Sequence, residues 1–286
     1  MPPRLAGGRT ARIAAVGCAC AALTGTFVLW GFPYDRAAAS MVAAIERATP
    51  LALQIGELGP HLSPLGPGLE ATGLRVVAPN GGALRVERLR LRPAWSLDWL
   101  RLRPALWLDA ELAGGSAEGR LGFAPSASFA GRLAAIDLAQ LPLAAFWPGA
   151  TLRGHLEGSF ALHREGRGAA GVVALEARDG SASLPTLPLP LPFETLSVEL
   201  ELGEDPRVRI AALHLAGSAL RADGTGTLGP AARLAGAPLD LALELEADPS
   251  LRPALQSLGI RLRPDGRAQL RITGTLDRPE LSTVTD

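Results

Sequence analysis

Read for apolar and polar positions alone, the chain changes period twice. From Ile13 to Phe32 no residue is charged, and a helix of about 20 residues reaches about 30 Å, the thickness of a bilayer's hydrocarbon core. A transmembrane helix is predicted over 13–32, with Ile13 at its inner end and Phe27, Trp30 and Phe32 crowding the outer one. Over 33–50 the apolar residues Ala37, Met41, Val42, Ile45 and Ala48 recur at helical spacing, with Glu46 and Arg47 on another face. That spacing predicts an amphipathic helix that begins at a bend near Pro33 and stops at Pro50. From Leu51 onward the period is two. Leu69 to Val76, Leu84 to Leu91, Val198 to Leu202, Leu239 to Leu245 and Ala268 to Ile272 alternate apolar and polar residues between Gly, Pro and Asn breaks, as half-buried strands do.

The alternation slips by one between Val86 and Leu89, and again between Ile210 and Leu213. A β-bulge at each place would restore the facing, and its recurrence points to a weakly repeated unit. Gly158-Ser159-Phe160, Gly226-Thr227-Leu228 and Gly274-Thr275-Leu276 add a shared Gly, hydroxyl, apolar signature, expected at strand ends. Short helices are expected at Trp95 to Leu100, at Asp137 to Trp147 and from Asp248 to a stop at Gly259. Pro185, Pro188, Pro190 and Pro192 form a polyproline-like connector and a candidate division near 185–192.

Alternation of this kind gives an antiparallel sheet with one wet face and one apolar face. The fold class expected is therefore mainly β: a single transmembrane helix, then a curved, mostly antiparallel sheet over 51–286, a half-barrel or taco shape with short helices. Too few long helices are available to cover the apolar face. The sheet must curl on itself, meet a second sheet, or hold an apolar ligand or partner. Leu200, Leu202, Leu241, Leu243, Leu270 and Ile272 are the expected lining of such a groove. Trp95 and Trp99, four residues apart, are a candidate interfacial patch, or a plug at an open end of the sheet.

Charge sets the orientation. Arg4, Arg9 and Arg12 precede the apolar run without an acid, so residues 1–12 are expected to be a cytoplasmic stub and the bulk of the chain to lie in the periplasm of a bacterial envelope. A signal peptide's apolar core is roughly 7–15 residues, shorter than this run, which favours a retained anchor. The net charge is +0 and hydrophobic residues make up 48%, which speaks against a nucleic-acid binder and against a disordered chain. Both cysteines, Cys18 and Cys20, fall within the apolar run, so no disulfide is expected in the sheet.

Catalytic signatures are missing. His61, His155, His163 and His214 are scattered, and no zinc-ligand spacing occurs. Gly114-Gly115-Ser116-Ala117-Glu118 lacks the last glycine of a nucleophile elbow and reads as a turn. Without lysine there is no phosphate-binding loop of the GxxxxGK type. Acid pairs such as Glu199/Glu201 and Glu244/Glu246 have the spacing of a strand's wet face. No enzyme activity, metal or cofactor is expected.

The anchor followed by Phe32-Pro33-Tyr34-Asp35, the segments Leu69-Glu-Ala-Thr-Gly-Leu-Arg-Val76 and Leu89-Arg-Leu-Arg-Pro-Ala-Trp-Ser-Leu97, and Leu220-Arg-Ala-Asp-Gly-Thr-Gly-Thr-Leu228 together resemble the type II secretion system protein N family. The strand, short helix, strand organisation and Ile136-Asp-Leu-Ala-Gln-Leu-Pro142 are similar to AsmA/TamB-type envelope proteins. The first resemblance implies a non-enzymatic, single-pass accessory component of the bacterial inner membrane that exposes a periplasmic β domain to other secretion subunits. The second implies a lipid-binding or lipid-transfer protein that shelters phospholipid chains on its apolar face. The sequence places the secretion role first and lipid handling second.

Overall fold

The computed structural model describes residues 33–48, 52–64, 66–77, 82–96, 103–123, 126–143, 149–165, 168–183, 190–203, 205–230, 236–257, 259–275 and 278–283. The expected transmembrane helix, with Ile13, Phe27, Trp30 and Phe32, lies outside these residues. Among the described residues no helix is long and apolar enough to cross a membrane.

The expected amphipathic helix is α1 (Tyr34–Ala48). Its last turn leads into the sheet, where the backbone N–H of Leu53 donates to the Glu46 carboxylate at 3.3 Å, and Val42 packs on Leu53, Leu74 and Val86. The strands follow as β1 (Ala52–Gln54), β2 (Glu57–Ser63), β3 (Gly66–Val77), β4 (Ala83–Pro93), β5 (Ala105–Leu112), β6 (Gly115–Gly122), β7 (Ser128–Asp137) and β8 (Thr151–Glu165). They continue as β9 (Gly168–Ser183), β10 (Leu191–Leu202), β11 (Val208–Ala216), β12 (Leu220–Leu228), β13 (Leu239–Ala247), β14 (Arg267–Thr275) and β15 (Arg278–Thr283). A short helix, α2 (Arg252–Ser257), separates β13 from β14.

All 15 strands belong to one antiparallel sheet, in chain order from β3 to β15, with β1 and β2 both paired to β3. Because Ala52 lies opposite Val77 and Ser63 opposite Gly66 in one continuous register, β1 and β2 are two halves of a single edge strand broken at Ile55-Gly56. No pairing joins that edge to β15, so among the described residues the sheet is an open meander with no second sheet. The Pro185–Pro192 connector joins two directly paired strands, β9 and β10.

Register and alternation together sort the residues into two faces. On one, Leu53 faces Val76, Leu74 faces Val86, Leu121 faces Phe129, Leu156 faces Ala177, Leu196 faces Leu215, and Leu243 faces Leu270. On the other lie ion pairs such as Arg90 with Glu70 and Arg271 with Asp240. Bulges keep the faces consistent where the alternation slips: the pairing shifts between Val86 and Arg88, between Leu133 and Ile136, and between Ile210 and Leu213. The first and last are the two slips legible in the sequence.

Helical segments gather at one rim of the sheet, where odd-numbered strands from β3 onward end. There α1, a 3-10 turn at Leu138–Gln140 capped by the Asp137 carboxylate, and the run from Pro249 through α2 cover three apolar clusters. These clusters hold most of the buried apolar side chains, including Leu138, Leu245, Leu255 and Leu270. Each such large aliphatic side chain contributes about 1.5–3 kcal/mol by leaving water. Of the helix expected from Asp137 to Trp147, residues 138–140 form that 3-10 turn, Leu141 is extended and Leu143 is helical; residues 144–148 lie outside the description. At the stop of the last helix Gly259 takes φ +80°.

Glycines on the apolar face hold the neighbouring strand's large side chains close to the sheet. A Cβ on Gly131 would meet the Phe160 ring at 2.7 Å and one on Gly224 would meet Leu243. Gly158 serves the same way under Leu175 and lies in the middle of β8, not at a strand end as its sequence context suggests. Gly131→Ala is therefore expected to cost about 1–3 kcal/mol through overpacking and to lower Tm by several degrees. Gly203→Ala, with nothing within 4 Å of the new methyl group, is expected to leave Tm within about a degree or two; equal shifts for both variants in a thermal melt followed by circular dichroism would refute the account.

Candidate functional site: the apolar face of the sheet

The six expected lining residues fall on one face. Leu241 lies opposite Ile272, Leu243 opposite Leu270, and Leu200 and Leu202 stand two apart on β10, opposite Ile210 and Val208. Leu241 and Leu270 are buried; Leu200, Leu202, Leu243 and Ile272 are only half-buried. Leu270 belongs to the cluster that includes Leu255 of α2, and Leu241, farther from the helix-capped rim, is buried as well. On the edge strand, Leu281, opposite Ile272, is 43% exposed. The face is thus an apolar surface with partial cover, continuous across the sheet. It offers chiefly dispersion and hydrophobic contact, with Thr283 opposite Leu270 at the edge.

On the wet face a hollow of about 790 Å3 lies over β11 to β14, lined by His214, Asp223, Thr225, Thr227, Asp240, Glu244 and Arg271 among others. His214 is on the polar side, as alternation requires, with Nδ1 2.5 Å from Asp223. Ser197 stands opposite His214 on the next strand, so Ser, His and Asp fall in one row on three strands, a juxtaposition only the register reveals. No hydrogen bond joins Ser197 to His214, and both His214 and Asp223 stand in solvent. Arg271 closes part of the hollow by a two-pronged bond to Asp240, at 2.9 and 2.8 Å, which holds the Asp240 carboxyl below its ordinary range. Among the described residues no group of three or more His, Cys, Asp or Glu is arranged to hold a metal.

Trp95 follows β4 outside any helix or strand and is 60% exposed; Trp99 lies outside the described residues. Near it the wet face carries its densest ion network, which spans four strands. Arg90 Nε donates to Glu70 at 2.8 Å, Arg88 reaches both Glu70 and Glu111, and His61 Nδ1 lies 3.3 Å from Glu70. The hydrogen bond from Arg90, helped by the charges of Arg90, Arg88 and His61, holds the Glu70 carboxyl below its ordinary value of 4.5. A carboxylate favoured in the folded state adds stability that is present above about pH 4.5 and disappears as the pH falls through the lowered value. Glu70→Gln is expected to flatten the acid limb of a Tm-against-pH profile while leaving its neutral-to-alkaline slope unchanged; an acid limb identical to the parent's would remove Glu70 from that role.

The chain matches no family model, no curated protein and no solved structure.

Proposed function

We propose that the protein is a non-enzymatic lipid-binding or lipid-transfer component of a bacterial envelope, which shelters phospholipid acyl chains along the apolar face of its sheet. One observation carries this reading: a single open sheet presents an apolar face across all its strands, and four of its six expected lining residues keep part of their surface uncovered. A closed sandwich of the same sequence would bury those side chains and leave no room for a chain. The apolar run at 13–32 would hold the sheet at the inner membrane, with the bulk of the chain periplasmic.

The secretion reading, which the sequence places first, becomes second. Short resembling segments support it, together with the outer side of β15, a strand edge that another subunit could extend. Pro279 in that strand lacks an N–H and limits such pairing. An apolar face of this extent has no evident use in a purely scaffolding subunit, and that reverses the order.

Photo-crosslinking in cells that produce the full chain separates the two. With a benzophenone amino acid at Leu202 or Ile272, phospholipid adducts are expected, and none is expected at Glu201 or Thr227 on the wet face. Adducts equally frequent on both faces, or absent from both, would sink the lipid reading. Protein adducts confined to Glu280 or Ser282 on β15 would move the assignment to secretion assembly.

A further inference from the structure

Along the wet face, neighbouring strands set opposite charges against each other. Glu70 stands opposite Arg90, Arg88 opposite Glu111, Glu201 opposite Arg209 and Glu246 opposite Arg267. Like charges directly opposite weaken a sheet, and where two acids do face each other a basic side chain stands beside them. Asp109 and Glu118 are flanked in the same row by Arg90 and Arg132. Arg178 lies 2.6 Å from Glu176 and 3.9 Å from the opposite acid, Glu157. His214 bonds to Asp223, which stands opposite Glu244.

One pair departs from this rule. Arg75 on β3 and Arg85 on β4 stand directly opposite each other, the only two arginines so placed among the described strands. Both are exposed, and among the described residues neither side chain has a hydrogen bond or an ion pair. Their row continues to Gln54 of β1, opposite Arg75, and it ends at Arg85, because β5 stops at Leu112, opposite Val86. Residues 49–56 and the turn at 78–82 contain no acid. The next acids along these strands, Glu57 and Glu87, are exposed and bond to neither arginine, while Glu46 accepts the Leu53 N–H. Two guanidiniums and an amide thus meet water in one row, a repulsion from which the fold itself gains nothing.

We propose that Gln54, Arg75 and Arg85 form a binding site for a phosphate monoester. Side chains opposite each other on paired strands are rooted about 5 Å apart, and the planar fork of each guanidinium fits phosphate oxygens. A monoester carries about −1.5 to −2 charges at pH 7 and three acceptor oxygens, which matches two cations and an amide donor on three adjacent strands. A carboxylate or a phosphodiester carries a single charge and leaves one arginine uncompensated. Ala52 of β1 follows the end of α1 at Ala48 by four residues, and α1 starts two residues after the apolar run at 13–32. At about 22 Å, the length of a 15-residue helix, the row is within reach of two sources of the same group: a lipid such as phosphatidic acid in the anchoring membrane, and a soluble compound such as glycerol phosphate. Because the row lies on the wet face, the site does not rest on the acyl-chain reading.

The test holds the full chain in nanodiscs of phosphatidylcholine and follows the phosphorus NMR line of added glycerol 1-phosphate, with dimethyl phosphate as the diester control. The monoester line should broaden on binding, and dimethyl phosphate should bind at least about tenfold more weakly. Arg75→Gln and Arg85→Gln should each weaken monoester binding about tenfold, whereas Arg209→Gln, at an exposed arginine paired with Glu201, should leave it unchanged. Without ligand, both row variants should melt at or slightly above the parent's Tm, because each relieves a like-charge pair. Adding phosphatidic acid to the nanodisc separates the sources: suppressed binding of glycerol 1-phosphate assigns the site to the lipid monoester, and unchanged binding assigns it to a soluble one. No binding of glycerol 1-phosphate to the parent, equal binding of dimethyl phosphate, or binding that survives either row substitution would overturn the proposal. A Tm lowered by several degrees in either variant would overturn it too, since the arginines would then serve the fold.

Discussion

The structure depends on register. A strand presents its side chains alternately to two faces, so a slip of one residue in any pairing would carry a whole set of leucines into water. Here each pairing sets apolar or glycine positions against apolar positions, from Leu53 opposite Val76 at one edge to Ile272 opposite Leu281 at the other. Where the chain's own alternation fails, at Val86, Leu133 and Ile210, a bulge restores it. Exposed ion pairs on the other face contribute little to stability, and the described region has no disulfide to compensate. What holds the fold is thus apolar contact between neighbouring strands together with the ladder of backbone hydrogen bonds.

That same constraint leaves the apolar face open. An open meander cannot bury its apolar face by itself, and the helical segments cover only one rim. Fully buried residues concentrate under those helices, while Leu200, Leu202, Leu243 and Ile272 keep part of their surface uncovered. Glycines such as Gly131 and Gly224 let large side chains lie low over adjacent strands, which keeps the surface smooth without filling the space above it. A sheet that finished its own core would be more stable.

At the opposite rim the distribution of groups is different in kind. Arg92, Trp107 and Arg120 come from three strands, and register brings them into one row. The Ser197, His214 and Asp223 row arises in the same way, but there the groups stand in solvent with no hydrogen bond from serine to histidine. A shared row is a consequence of strand pairing and acquires chemistry only where burial or a donor network follows.

By itself the sequence determined the period of each segment, the face on which each residue falls, the wet position of His214, the helix after Pro33 and the two slips at Val86 and Ile210. These are local properties, fixed by side-chain direction along a strand or helix. Tertiary structure decided which strands are neighbours, that the sheet stays open, that the helical segments share one rim, and that Asp137 caps a 3-10 turn. It also decided which of the lining leucines are covered and that Trp107, which alternation alone makes an ordinary strand residue, stands between two arginines. Pairing partners and cover come from residues distant in the chain, and no local pattern of apolar and polar positions carries that information.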